Sequence, residues 1–94
     1  MRQIEYSSAF KKDYRRESKG KHQKTIDAKF KYVISSLIED KILAEKYRDH
    51  DLLGDWLGYR ECHISPDLLL IYRKTGKDFI RLARIGSHSK LFKK

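Results

Sequence analysis

Three histidines fall where a short chain bends or ends a strand: His50, His63 and His88. Asp67 follows His63 by four residues, and Arg84 precedes His88 by four. Imidazole titrates near neutrality and serves as either base or acid. Guanidinium stays charged and holds two phosphate oxygens with its planar fork. Together these are the parts for metal-independent RNA cleavage. A base takes the proton of a ribose 2′-OH, an acid protonates the departing 5′-oxygen, and a cation steadies the phosphorane-like transition state. Acid–base help of this kind contributes on the order of 10²–10⁴-fold. Each histidine has a plainer reading as a hydrogen-bonded or surface residue, and His22, set among lysines, reads as solvated surface. Zinc is the rival chemistry, since His50, Cys62, His63 and His88 are all zinc-ligand types. Cys62 and His63 are neighbours, however, and on a strand they point to opposite faces. No C-x-x-C or H-x-x-x-H spacing occurs, so no metal or other cofactor is expected.

Trp56 and Tyr59 lie beside a basic residue, Arg60, and aromatics interleaved with cations can stack unpaired bases. Core packing is the alternative, and it is the preferred reading for Tyr59 and Tyr72. Phe92 sits in a charged tail, where it either folds back on the core or offers its ring to a base.

These residues need elements to position them. Ile4 and Tyr6 mark a short strand over residues 2–6. Ser7 or Ser8 caps a helix carrying Phe10 and Tyr14, which Gly20 ends. A second helix runs from about Gln23 to Glu39, with Ile26, Phe30, Val33 and Leu37 as its apolar stripe. Residues 40–54 show no clear period. From Trp56 the chain reads as strand to Ile64, with a turn at Pro66–Asp67. Leu68 to Arg73 reads as a strand buried on both faces. A turn at Gly76–Asp78 leads to the last strand, in which Phe79, Arg81, Ala83 and Ile85 alternate with Ile80, Leu82 and Arg84. The predicted class is α+β, in the order β-α-α-β-β-β, with two helices on a small, mainly antiparallel sheet. In a meander alternate strand ends meet at one edge, so His63 and His88 are expected to converge.

The chain has 94 residues, 39% of them apolar, which suits one domain over 1–94. No run approaches the roughly 18 apolar residues of a membrane span, the start lacks the apolar core of a secretion signal, and Cys62 has no cysteine partner. A cytoplasmic protein with no membrane partner is expected. The net charge of +9 favours a polyanionic partner. Residues 11–31 hold nine lysines and arginines against three acids, a surplus of six that lies away from the histidines. Lys11, Lys12, Arg15 and Arg16, with Trp56 and Arg60, are the expected RNA-docking residues.

A longer pattern joins these parts. It runs Tyr47-Arg48-Asp49-His50-Asp51-Leu52, Gly54, Trp56, Gly58-Tyr59-Arg60, His63, Pro66-Asp67, Leu70-Ile71-Tyr72, Arg84, Gly86, His88 and Leu91-Phe92. It resembles the YafQ branch of the RelE/ParE toxin superfamily, the toxins of bacterial type II toxin–antitoxin systems. The opening Ile4-Glu5-Tyr6-Ser7 and Phe10, Lys12 and Asp13 also fit. The resemblance implies a RelE-like fold and an mRNA interferase that cuts messenger in the ribosomal A site. By position it implies that His50, His63, Asp67 and His88 are catalytic, that Arg84 contacts the scissile phosphate and that Phe92 positions the base. His88 or Asp67 is then the base and His50 or His63 the acid. The implied partners are a cognate antitoxin, the ribosome and mRNA, with operator DNA reached only through the antitoxin. Two departures stand out: Leu68 replaces a tryptophan that can occur in the branch, and the tail continues past Phe92 with Lys93 and Lys94. The alternatives are a ParE-like gyrase inhibitor without nuclease activity, against which the histidine set speaks, and a non-catalytic RNA-binding module.

Overall fold

The computed structural model describes residues 1–20 and 23–92; His22, read above as solvated surface, and the tail lysines 93 and 94 lie outside them. The chain runs β1 (Gln3–Tyr6), α1 (Ser8–Ser18), α2 (Ile26–Ile38), β2 (His50–Asp51), β3 (Arg60–Ser65), β4 (Leu68–Thr75), β5 (Phe79–Gly86) and α3 (His88–Leu91). The sheet order is β1-β5-β4-β3-β2, with β1 parallel to β5 and the other pairs antiparallel. Two helices therefore pack on a mainly antiparallel sheet, as the sequence predicts. Beyond that expectation are a two-residue edge strand at His50 and a short helix in the tail.

Local chemistry explains most boundaries. Ser7 is extended, and its hydroxyl accepts from Phe10 N at 2.9 Å, which starts α1. Thr25 makes no such bond, and residues 23–25 form a turn, so α2 begins at Ile26 rather than near Gln23. Trp56 is not in a strand. It closes a 3₁₀ turn over Gly54–Trp56, and β3 starts only at Arg60. Gly54 and Gly58, both at positive φ, break the extended run that the aromatics suggest.

Strand β4 separates two apolar layers. Leu68, Leu70 and Tyr72 join Phe10, Phe30, Val33 and Leu37 in the core beneath the helices. Leu69 and Ile71 face the other way, against Ala83, Leu91 and the half-buried Trp56, Tyr59 and Phe92. The near-continuous apolar run of β4 reflects this burial on both faces.

Strand β5 corrects the predicted alternation. Ile71 opposes Arg84 and Tyr72 opposes Leu82, which leaves Ala83 as an extra residue in a β-bulge. The phase changes there, so Ile85 lies in the helix-covered core with Ile80 and Leu82 instead of sharing a face with Phe79 and Arg81. Cross-strand partners share a face, and Arg84, opposite Ile71, belongs to the second one. A regular strand would aim the guanidinium into the core. A second bulge leaves Ile64 unpaired between His63 and Ser65.

Candidate active site

The register lays the candidate residues out in two rows on the second face. One row crosses four strands as His50, Glu61, Ile71 and Arg84. The next row is His63, Leu69 and Gly86, two residues before His88. Strands lie ~4.8 Å apart, so the β3 and β5 members of each row have backbones about 10 Å apart across β4. Side chains reaching inward from both sides can close on an intervening phosphate. Asp67 lies in the exposed β3–β4 turn, at the same end of the sheet as His63 and Gly86.

Glu61 joins two of the histidines. Its Oε1 lies 3.5 Å from His50 Nε2 and 3.3 Å from His63 Nε2. The carboxylate side chain is only 7% exposed, whereas His50 is largely in solvent. Sequence reasoning passed over Glu61 as one more charge in a charged chain. The signal was its spacing: on a strand, residues i and i+2 share a face, so Glu61 had to stand beside His63.

Arg84 is fixed from the opposite side. Strand β1 stops pairing at Leu82, and α1 covers the rest of the β5 edge. Ser7 N donates to Leu82 O and Ser7 Oγ to Ala83 O. One turn and a half further on, Asp13 Oδ2 accepts from Ile85 N at 3.2 Å, as the next strand would. The same carboxylate receives Arg84 Nε at 2.6 Å and Nη2 at 3.0 Å, and Arg16 Nη1 at 3.0 Å. Burial pushes the Asp13 carboxyl up, but the bonds from Arg84, Ile85 N–H and Arg16 and the Arg84 charge outweigh it and hold the carboxyl below its ordinary value. The bond to Asp13 likewise pushes the Arg84 guanidinium up. Asp13 and Glu17 stand at i+3 and i+7 from Phe10, on the helix face that packs inward, a spacing the sequence reading did not use.

The expected docking residues separate. Lys11, Lys12 and Arg15 are exposed on α1. Arg16 is tied to Asp13 and to Glu17 Oε2 at 3.0 Å. Its guanidinium passes over Gly86, where a Cβ would stand 2.9 Å from Nη2. Arg60 pairs with Asp49 at 3.2 Å and with Asp51 at 2.5 Å, and Tyr72 Oη donates to the same Asp49 at 2.6 Å. Trp56 packs edge-on against Tyr59, ring centroids 5.4 Å apart, beside the second apolar layer.

Helix α3 carries the last two candidates. Ser87 caps it, accepting from Lys90 N at 3.3 Å. His88 is exposed, and its ring lies 5.0 Å from that of Phe92 one turn later. Phe92 packs half-buried with Leu91 on the second layer, and its ring also lies against that of exposed His88. Cys62 is fully buried on the helix side, where burial pushes its thiol well above the usual range. No group of three His, Cys, Asp or Glu side chains among the described residues is arranged to hold a metal ion. The candidate residues include three imidazoles, two carboxylates and a clamped guanidinium, side chains of the types that acid–base phosphodiester cleavage uses.

Known structures place this arrangement in a class. The crystal structure of YafQ from Escherichia coli BL21(DE3) matches 98% of this chain and 99% of its own, with a TM-score of 0.85 at 38% identity. The E. coli DinJ–YafQ complex matches 98% and 99%, with a TM-score of 0.83 at 39% identity. The fold is that of the RelE-like bacterial toxins. In sequence, the mRNA interferase toxin YafQ of E. coli K12 is 41% identical over 92 residues, 97% of this chain and 96% of that protein. The putative toxin YafQ of Haemophilus influenzae is 36% identical over 89 residues, 92% and 87% of the two chains. The model of the family described as the bacterial toxin of type II toxin–antitoxin system, YafQ, matches residues 2–93. The chain belongs to the YafQ family of type II toxins.

Proposed function

We propose that this chain is an mRNA interferase, a toxin that cleaves messenger in the ribosomal A site and so stops translation in the cytoplasm. The observation that carries the reading is the pair of registered rows. They bring His63 and Glu61 from β3, with His50 from β2, to one side of β4, and Arg84 and the start of α3 to the other. The curated E. coli relative is itself an mRNA interferase. In this reading His88 or Asp67 takes the 2′-OH proton. The freed oxygen attacks phosphorus, forming the O2′–P bond as the P–O5′ bond breaks. His50 or His63 protonates the departing 5′-oxygen, leaving a 2′,3′-cyclic phosphate. Arg84 stabilises charge on the equatorial oxygens, and Phe92 positions the base. Glu61 keeps His50 and His63 in place.

A toxin of this kind needs a neutralising partner. E. coli YafQ forms a complex with DinJ, which supports a cognate antitoxin here; in this reading operator DNA is reached only through that antitoxin. Ribosomes programmed with mRNA, followed by mapping of 5′ ends, test the activity. Wild type cuts at the A-site codon, and His88→Ala slows the cut about 10²–10⁴-fold. No cut by wild type, with toxicity intact in His88→Ala, would remove the nuclease reading.

A further inference from the structure

Beyond β2, the edge of β3 borders a groove of about 840 Å³ between α2, the 3₁₀ turn at Glu45–Tyr47 and the β3–β4 turn. Lys29, Lys46 and Arg48 line it, with the rings of Tyr32 and Tyr47, and His63 opens it onto the candidate active site. No acid is among the described residues that line it, and none of the three cations is ion-paired among the described residues. Tyr32 is 58% exposed although it is a large ring on a helix. It stacks at a tilt on Tyr47, centroids 5.8 Å apart, and Lys46 Nζ lies 5.2 Å over the Tyr47 ring. Arg48 sits in left-handed backbone, φ +49°, a conformation that costs a non-glycine residue energy. In the groove wall, Ser65 Oγ is buried without a hydrogen-bond partner among the described residues.

We infer that this groove is a second RNA subsite, which binds the unpaired nucleotide next to the scissile one by stacking its base on the Tyr32–Tyr47 pair. Lys29 and Arg48 take its phosphates. Cations beside exposed aromatic rings are how single strands are held without sequence readout. An apolar peptide would leave three cations unsatisfied, so a polyanion is the occupant that the charges fit. His63 belongs to both places, which makes the groove continuous with the chemistry. The inference rests on the nuclease reading for its purpose, though not for its RNA chemistry.

The test separates the two. A fluorescein-labelled hexanucleotide of unpaired adenosines is bound to the full chain on a His88→Ala background, with and without Tyr32→Ala. Cleavage of programmed ribosomes is then measured for Tyr32→Ala in the active chain. Tyr32→Ala weakens the hexanucleotide about 5- to 160-fold, the span of one base–aromatic stack. It raises KM for the programmed ribosome with kcat little changed, because binding falls alike in ground and transition states. Lys29→Ala with Arg48→Ala lowers the salt slope of hexanucleotide binding by about 0.7 for each phosphate no longer neutralised. Unchanged affinity for the hexanucleotide, or an unchanged KM, overturns the inference. So does a result in which the variants bind RNA like the parent but escape neutralisation by the antitoxin in cells, since the groove would then dock a protein. If the parent cuts no mRNA and Tyr32→Ala still weakens the hexanucleotide, the nuclease reading falls and the RNA groove stands.

Discussion

Asp13→Asn is the most informative single change, because one carboxylate serves both the sheet and Arg84. Asp13 accepts from Arg84 twice, from Arg16 once and from the Ile85 N–H. Asparagine keeps one acceptor oxygen, turns an N–H₂ toward a guanidinium and removes the charge that two arginines face. Breaking a fully buried pair costs about 3–5 kcal/mol. Here the Arg84 and Arg16 side chains are 29% and 38% exposed and partly recover their hydration, so about 2–3 kcal/mol is expected. In a domain of this size that lowers Tm by roughly 8–24 °C. Below the lower transition, where circular dichroism shows every variant folded, cleavage is compared for Asp13→Asn, Arg84→Ala and the double variant. Arg84→Ala loses about 10²–10³-fold, as for removal of one transition-state donor, and Asp13→Asn about 10- to 100-fold through misplacement of that cation. If Asp13 acts through Arg84, the double variant is no slower than Arg84→Ala alone. Losses that multiply in the double variant would refute the clamp.

Three further outcomes are expected. Glu61→Gln slows cleavage at least about tenfold yet leaves Tm unchanged or raised, since a buried carboxylate with only histidine partners gains little from its charge; a Tm drop of more than about 8 °C would make Glu61 a structural residue. Acid should destabilise the fold in a defined window. The bonds from Lys74 and Arg2 hold Asp40 at about 2, and Asp13 is also held low. Groups depressed in the folded state stabilise it above their unfolded value, near 3.9, and that contribution goes as pH falls through the folded value. Urea melts should therefore be flat from pH 7 to about 5 and weaken steadily below 4, and melts that stay flat to pH 2 would contradict the assignment. Gly86→Ala should cost about 1–2 kcal/mol and slow cleavage, because the added methyl displaces Arg16 at 2.9 Å and presses Leu91 of α3 at 3.3 Å. Wild-type rates in a variant that melts normally would show that α3 does not depend on this packing.

Much of the scaffold was legible because it follows local rules. The stripe on α2, the doubly buried run of β4 and the Ser7 cap each appear in the residues themselves. The shared row of His63 and Gly86, two residues before His88, agrees with the meander reading that put these strand ends at one edge. What escaped was set by distant parts of the chain. The β5 bulge depends on how β4 and α1 hold the strand, and no residue near Ala83 announces it. Strand β2 is two residues long and exists through its pairing with Glu61 and Arg60. Trp56 misled because aromatics favour strands, while the flanking glycines favour turns. Asp13 and Glu61 were masked by the general abundance of charge. Arg16, read as a docking cation, turned out to be half of a clamp.

The extra residue in β5 has a consequence for how this molecule can change. Exchanging one side chain for another leaves the strand's count intact, so Arg84 continues to face Ile71. Removing Ala83 would only make the strand regular, with Arg84 still opposite Ile71 and Ile85 opposite Leu70, whereas one more residue between Ala83 and Arg84 would shift the count by one, burying a guanidinium and exposing Ile85. Point substitution, or loss of the bulge residue itself, can therefore tune this toxin by degrees, whereas a single-codon insertion beside Arg84 would turn the guanidinium from one face of the sheet to the other.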